Sequence, residues 1–317
     1  MQQVLDPGQI EAFATQRVIP RVRLPDTGRV FSDRASRLQY LSEGHAVGDY
    51  LRLMAALAQA QQKSLQTLLL QGAAVDLDQQ RIRQAQANGM PLLQATGSRD
   101  ATWQSALARL CDDIAAAPGF PAVVSEVCRR IQRLPAAELE QQADWLLTGD
   151  TEVAGVDAQA APFIMGALQV YWVSRAGSLS LEDISAHVSH FDVPGICPVC
   201  ASLPVASIVR AEQAYQGYRF LHCALCATEW HLVRIKCSHC QSTEGIHYHS
   251  IEGGSPAIRA EACDVCRTYR KICYQEHDMA VEPLADDLGS LTLDLLMTEE
   301  GFHRGSGNPL LWQAAVP

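Results

Sequence analysis

The sequence predicts a multidomain α+β protein: an all-α N-terminal helical domain, two tandem Cys₄ metal modules and a C-terminal helix. Three observations carry this expectation. Ala, Leu and Gln crowd the first half of the 317 residues, and aromatic residues make up only 6%, a composition that favours helices. Near Phe191 the texture changes, as short runs of β-branched and aromatic residues replace helical periodicity. Eight of the 11 cysteines then fall between positions 197 and 266.

The elements follow in order. Asp6-Pro7 can open a first helix, because proline is tolerated in a first turn. Ser32 or Asp33 caps a second, with Ala35, Leu38 and Leu41 as its apolar face and Gly44 as its end. Val47, Tyr50, Leu51, Met54, Leu57 and Ala58 recur at i, i+3, i+4 and i+7, the stripe of an amphipathic helix. Further helices are expected near 64–71, 76–87, 99–116, 121–133, 136–147 and 162–175, punctuated by Pro91, Gly97, Pro118-Gly119, Pro135 and Gly149. Strands are expected at Val205–Val209, Tyr218–His222, Trp230–Ile235, Ile246–Ile251 and Ala257–Glu261, with Glu252-Gly253-Gly254-Ser255 as a turn. A last helix runs from Pro283 to Glu299, and Gly305 to Pro309 reads as an irregular tail. The expected divisions are 1–190, 191–235, 236–275 and 276–317.

Charge and hydropathy narrow the function classes. Hydrophobic residues make up 48% and charged residues 19%, a globular balance. The net charge of −10 disfavours approach to a phosphate backbone. Between 191 and 273, basic and acidic side chains nearly balance, and metal-bound thiolates tip that region negative. A zinc-ribbon nucleic-acid binder is therefore the weakest reading, and no nucleic-acid partner is expected. No apolar run has the length of a membrane span, and Met1 to Arg17 lacks the basic start and apolar core of a secretory signal. The expected location is the cytoplasm, where thiols stay reduced and spaced cysteines read as metal ligands.

The chemistry lies in a repeat. Four knuckles occur: Cys197-Pro-Val-Cys200, Cys223-Ala-Leu-Cys226, Cys237-Ser-His-Cys240 and Cys263-Asp-Val-Cys266. Twenty-two residues separate Cys200 from Cys223, and 22 separate Cys240 from Cys263; a shift of 40 superimposes all eight cysteines. This is an internal duplication of one metal module. Two cysteines three positions apart can aim both sulfurs from one tight turn at a common point, and two such turns supply four thiolates tetrahedrally. The interval fits a hairpin that returns the second knuckle beside the first. Equal gaps favour pairing first with second and third with fourth; a cross-braced pairing of first with third is the alternative. Such a donor set suits Zn²⁺ or a single iron, with iron–sulfur ligation as a third choice. A module of this size has too small a core to fold alone, so the ion should contribute much of its folding energy.

Other residues have plainer readings. Cys111, Cys128 and Cys273 read as small core residues. His222, His231, His239, His247 and His249 surround the knuckles, but four sulfurs per ion already complete a tetrahedron. Trp230 and Tyr269 suit a core or lid role. Asp286 and Asp287 are expected on a solvated helix face or at a partner. The residue after each second knuckle cysteine usually needs a positive φ, which glycine supplies easily; here those residues are Ala201, Ala227, Gln241 and Arg267.

Several stretches together resemble the formate dehydrogenase accessory protein FdhE family. They are Leu221-His222-Cys223, Thr228-Glu229-Trp230-His231, Val233-Arg234, Lys236-Cys237, Ala260-Glu261, the last knuckle with Thr268-Tyr269, and Ala285-Asp286-Asp287-Leu288. Asp33-Arg34-Ala35, Arg37-Leu38, Gly44-His45 and Asp49-Tyr50-Leu51 extend the likeness over nearly the whole chain. The resemblance implies a helical domain joined to two rubredoxin-like modules, with iron in both Cys₄ sites and zinc as the alternative. It implies a non-enzymatic, cytoplasmic maturation factor that binds the catalytic subunit of formate dehydrogenase before export. A redox-active iron protein or electron carrier acting during that assembly is the competing reading.

Overall fold

The structure is a computed structural model that describes residues 21–72, 79–96, 99–148, 156–188, 191, 193–213 and 215–311. The expected helix at Asp6-Pro7 and the start of the one at 76–87 lie outside these residues. After a two-residue strand, β1 (Val22–Arg23), the helical body runs through α1 (Val30–Leu41), α2 (Gly48–Leu70), α3 (Gln79–Ala87) and α4 (Thr102–Ala116). It continues with α5 (Ala122–Arg133), α6 (Ala136–Thr148), α7 (Ala161–Gly177) and α8 (Leu181–Val188).

The body is organised around α7. This helix is apolar nearly all round, from Phe163 and Ile164 to Trp172 and Val173, and almost every side chain in it is buried. A helix without a polar face belongs at the centre of a core. Pro162 occupies its first turn, where the missing N–H is no loss. The helices expected at 47–58 and 64–71 are one element, α2, of 23 residues. Its middle, Gln59 to Lys63, consists of good helix formers, with no breaker until Gly72 at φ +73°. Helix α1 starts at Val30, ahead of the expected caps, and Arg29 at its start makes no side-chain cap bond. Ser32 instead donates its hydroxyl to the Arg29 carbonyl. Helix α8 was not expected from the sequence.

The second half forms one sheet. Its strands are β2 (Pro204–Val209), β3 (Arg219–Cys223), β4 (Glu229–His231), β5 (Ile246–His249), β6 (Ile258–Cys263), β7 (Thr268–Tyr274) and β8 (His303–Arg304). The order is β1-β4-β3-β2-β7-β6-β5, and β8 pairs with β7. Each half of the repeat is a three-stranded antiparallel meander, β2-β3-β4 and β5-β6-β7. The halves are not separate beads. Parallel pairing of β2 with β7, Ser207 opposite Ile272 through Val209 opposite Tyr274, makes the sheet continuous. Arg219 on β3 crosses the seam to Glu261 on β6 at 2.7 Å, and neither side chain reaches solvent appreciably. Strand β7, absent from the sequence expectation, is what joins the modules.

The C-terminal helix is a second correction. Residues 283–299 form two helices, α9 (Pro283–Leu288) and α10 (Leu291–Glu299), broken at Gly289-Ser290. A Cβ at Gly289 would meet the Leu41 side chain at 2.9 Å, so glycine lets this corner seat against the end of α1. The segment beyond, 305–311, is irregular as expected, and side-chain bonds hold it down. Asn308 donates to the Leu284 carbonyl and to Asp287, at 3.0 and 2.8 Å. The Tyr50 hydroxyl donates to the Leu310 carbonyl.

Candidate metal centres

Three of the knuckles are tight turns closed by a bond from the residue after the second cysteine back to the first, and in the knuckle at Cys223 the Cys223 amide donates to the Thr228 carbonyl at 2.9 Å. The amide of Ala201 donates to the Cys197 carbonyl at 2.9 Å, that of Gln241 to Cys237 at 3.1 Å, and that of Arg267 to Cys263 at 2.8 Å. These turns drive the residue after the second cysteine into the left-handed region. Ala201, Ala227, Gln241 and Arg267 have φ of 69°, 57°, 65° and 56°, and they are the non-glycine residues with positive φ among the described residues. That conformation costs an ordinary residue about 1–2 kcal/mol. All four knuckles keep it regardless, which marks the turn geometry as imposed by what the sulfurs must do.

The turns converge in pairs. Cys197, Cys200, Cys223 and Cys226 form one cluster, and Cys237, Cys240, Cys263 and Cys266 the other, with all sulfurs of a cluster within 4.8 Å of one another. The pairing is sequential, not cross-braced. Sulfur–sulfur separations are 3.6 Å for Cys197–Cys226, 3.4 Å for Cys200–Cys223, and 3.7 Å for both Cys237–Cys266 and Cys240–Cys263. A disulfide would bring two sulfurs to about 2.05 Å. A tetrahedron with 2.3 Å metal–sulfur bonds has edges of about 3.8 Å. The clusters therefore have the size of metal cages, and all 11 cysteines are free thiols. Either cluster could hold one metal ion.

Hydrogen bonds prepare the sulfurs for charge. Cys223 Sγ accepts from the Leu225 and Cys226 amides, each at 3.4 Å, and Cys237 Sγ accepts from His239 and Cys240 at 3.3 and 3.5 Å. Thr228 and Thr268 place their hydroxyls 3.2 and 2.9 Å from Cys226 and Cys266. Burial pushes the Cys197 and Cys223 thiols well above their ordinary range. At Cys266 burial pushes the same way, but the Thr268 hydroxyl helps bring it down to about 7. An entering cation displaces such protons, so affinity rises with pH.

The family models match three consecutive parts of the chain: the FdhE N-terminal model over 19–188, the central model over 196–234 and the C-terminal model over 235–311. The chain belongs to the FdhE family. It is 41% identical over 300 residues to a protein FdhE homolog of Cronobacter sakazakii, covering 94% of this chain and 93% of that one. It is 40% identical to the protein FdhE of Salmonella choleraesuis, with the same coverage. The crystal structure of the FdhE protein from Pseudomonas aeruginosa superimposes with a TM-score of 0.76 at 35% identity, over 93% of this chain and 100% of that one. Membership makes this chain an accessory protein and not an enzyme.

FdhE architecture places the first cluster inside the helical body. Leu92, Leu93 and Ala95 donate their amides to the carbonyls of Pro198, Val199 and Cys200 at 3.3, 2.7 and 3.2 Å. Gln169 on α7 donates to the Ala224 carbonyl at 2.8 Å and accepts from Gln61 on α2 and from Arg34 on α1. Arg34 continues to Glu282, which caps α9 by accepting from the Ala285 amide at 2.7 Å. Gln169 and the 92–95 segment escaped the sequence reading, since nothing local links them to the knuckles. The two threonines carried a signal: they stand 40 residues apart, in step with the cysteine repeat.

The remaining candidates fall into structural roles. Asp286 and Asp287 are neither solvated nor presented to a partner. Asp286 receives a forked contact from Arg37 at 2.7–3.1 Å, and Arg37 also reaches Asp278 at 2.7 Å. Asp287 meets Arg304 and Asn308, with Lys271 at 3.5 Å. Burial forces these carboxylates to find cations. Trp230 donates its indole N–H to the Pro194 carbonyl at 2.8 Å within the main core, and the Tyr269 hydroxyl donates to Asp294 at 2.8 Å. Cys111 and Cys128 are fully buried in the helical core, and Cys273 lies in a smaller core formed by the sheet and α10. His222 binds Glu229 at 3.1 Å, and His247 binds Asp264 at 2.7 Å. Burial lowers the His231 pKa.

Proposed function

We propose that this chain is a maturation factor that holds the catalytic subunit of formate dehydrogenase in the cytoplasm before export. Membership of the FdhE family over 94% of the chain carries the reading. In it, 1–190 is the helical domain, 191–235 and 236–275 are two rubredoxin-like modules, and 276–317 is the C-terminal helical segment and tail, whose described residues 276–311 strap the two halves together. Cys197, Cys200, Cys223 and Cys226 hold one ion and Cys237, Cys240, Cys263 and Cys266 a second, with iron favoured over zinc. A saturated Cys₄ cage leaves no open coordination position, so each ion shapes its module and activates no water. The test is co-purification of the full chain with the catalytic subunit. Replacement of knuckle cysteines by serine should abolish capture, and undiminished capture by metal-free variants would refute a metal-shaped surface.

A second reading, an iron protein that passes electrons during assembly, is favoured by one observation. Cys240 is exposed, so an electron could reach the second cage from a docked partner. Absorption spectra of anaerobically purified protein before and after a reductant separate the readings. Colourless protein with two zinc ions removes the second.

A further inference from the structure

We infer that the second cluster is an ion-exchange port, whereas the first releases its ion only when the helical body opens. The inference rests on the metal reading proposed above and adds a division of labour between the two centres. All four cysteines of the first cluster are fully shielded from solvent and belong to the main hydrophobic core. Both of its knuckles are clamped from outside the module. Three amides of the 92–95 segment hold one, and Gln169 of α7 holds the other. Reaching any of these sulfurs requires lifting a knuckle off α7 or off that segment. Such an opening has a free energy near that of global unfolding.

The second cluster lacks this cover. Cys240 is exposed and Cys266 is half-buried, while Cys237 and Cys263 line the inner side. Its flanking knuckle residues Asp264 and Val265 face solvent, and none of its sulfurs belongs to a hydrophobic core cluster among the described residues. An incoming donor can approach the ion from the Cys240 edge with the fold intact. The step is a ligand exchange. A lone pair of the donor bonds the ion as the Cys240–metal bond breaks, and the sulfur leaves as a thiolate that takes a proton from water. No electrons change hands. Repetition at the remaining three sulfurs frees the ion.

The experiment uses the full-length chain loaded with Zn²⁺ and a large excess of a chromogenic chelator, with tryptophan fluorescence recorded in parallel. One equivalent should pass to the chelator at least about tenfold faster than the other, with no fluorescence change. The slow equivalent should leave together with the unfolding signal. Alkylation of the same samples, mapped by mass spectrometry, should label Cys240 and Cys266 in the fast phase and Cys200 only in the slow one. Gln169→Ala should accelerate the slow phase and leave the fast phase unchanged. Loss of both ions in one phase, or labelling of Cys200 before Cys240, overturns the inference. A chain that takes up no zinc shows it before the chelator is added, and that result removes the metal reading and this inference together.

Discussion

The two cysteine clusters are copies in sulfur set and turn, and opposites in setting. Both use the same knuckle spacing, the same left-handed residue after the second cysteine, and a threonine beside the last sulfur. The first is buried in the core of the helical body; the second lies at the end of β6 with Cys240 open to solvent. Duplication thus copied the cage, and packing then assigned each copy its surroundings. Ligand identity sets what an ion experiences, while the neighbours set how readily it leaves.

The largest expected effect separates the copies directly. Cys200→Ser removes a sulfur from the buried cluster and should lower the thermal midpoint of the full chain by about 10 °C or more, at about 2–4 °C per kcal/mol. Cys240→Ser should move the main transition by no more than about 3 °C. Circular dichroism at 222 nm reads both; equal shifts would erase the distinction.

Next is the strap. Arg37 and Asp286 pair in a site where the two side chains are 6% and 2% exposed. Burial pushes Asp286 up, and Arg37 only partly offsets it. Arg37→Ala leaves an unpaired buried carboxylate and should destabilise the chain by about 3–5 kcal/mol in urea. Arg37→Met with Asp286→Leu should recover much of that loss. A single variant as costly as the pair would mean that packing, not charge, holds the strap.

Acid titration sharpens the contrast at smaller scale. In the first module burial pushes Glu229 up, but Arg210 and His222 outweigh it and hold the carboxyl far below its ordinary range. In the second module burial raises Glu261 despite Arg219. A depressed carboxylate stabilises the fold above its unfolded pKa of about 4.3, and that contribution is lost as pH falls. A raised one does the reverse. Glu229→Gln should therefore weaken the chain at pH 7 and flatten its loss of stability below about pH 4.5, as followed by urea midpoints across pH. An unchanged acid slope would contradict the assignment.

The smallest effect concerns the turns. Gln241→Gly relieves a left-handed residue whose side chain is exposed and should stabilise by up to about 1 kcal/mol, while Gln241→Val should destabilise. Arg267→Gly should gain less. Arg267 also donates to the Glu300 carbonyl at 2.7 Å and stacks 3.8 Å from the Phe302 ring centroid. Chemical denaturation of the three variants checks the order.

Much of the site was legible because its signals are local and repeated. A 40-residue shift superimposes all eight cysteines, the equal gaps favour the sequential pairing that the clusters show, and the position after each second cysteine is where a positive φ is found. Helices punctuated by Pro118-Gly119 and Pro135 were equally readable. What escaped depends on distance. Strand β7 carries Arg270 and Lys271, which break an apolar pattern, yet both charges are buried against partners from far along the chain. Arg34 and Arg37 look like ordinary surface residues until α9 arrives some 250 positions later. Asp286 and Asp287 were misjudged for the same reason. The polar middle of α2 is equally hard to read, because Gln61 and Gln62 are buried against partners remote in sequence, the Gly166 and Thr27 carbonyls.

Native mass spectrometry of the intact, full-length chain from its own host tests the central claim most directly. The account predicts a single species carrying two metal ions, and one ion in Cys240→Ser. A chain that carries no metal, or one whose mass shows knuckle cysteines joined as disulfides, would contradict it.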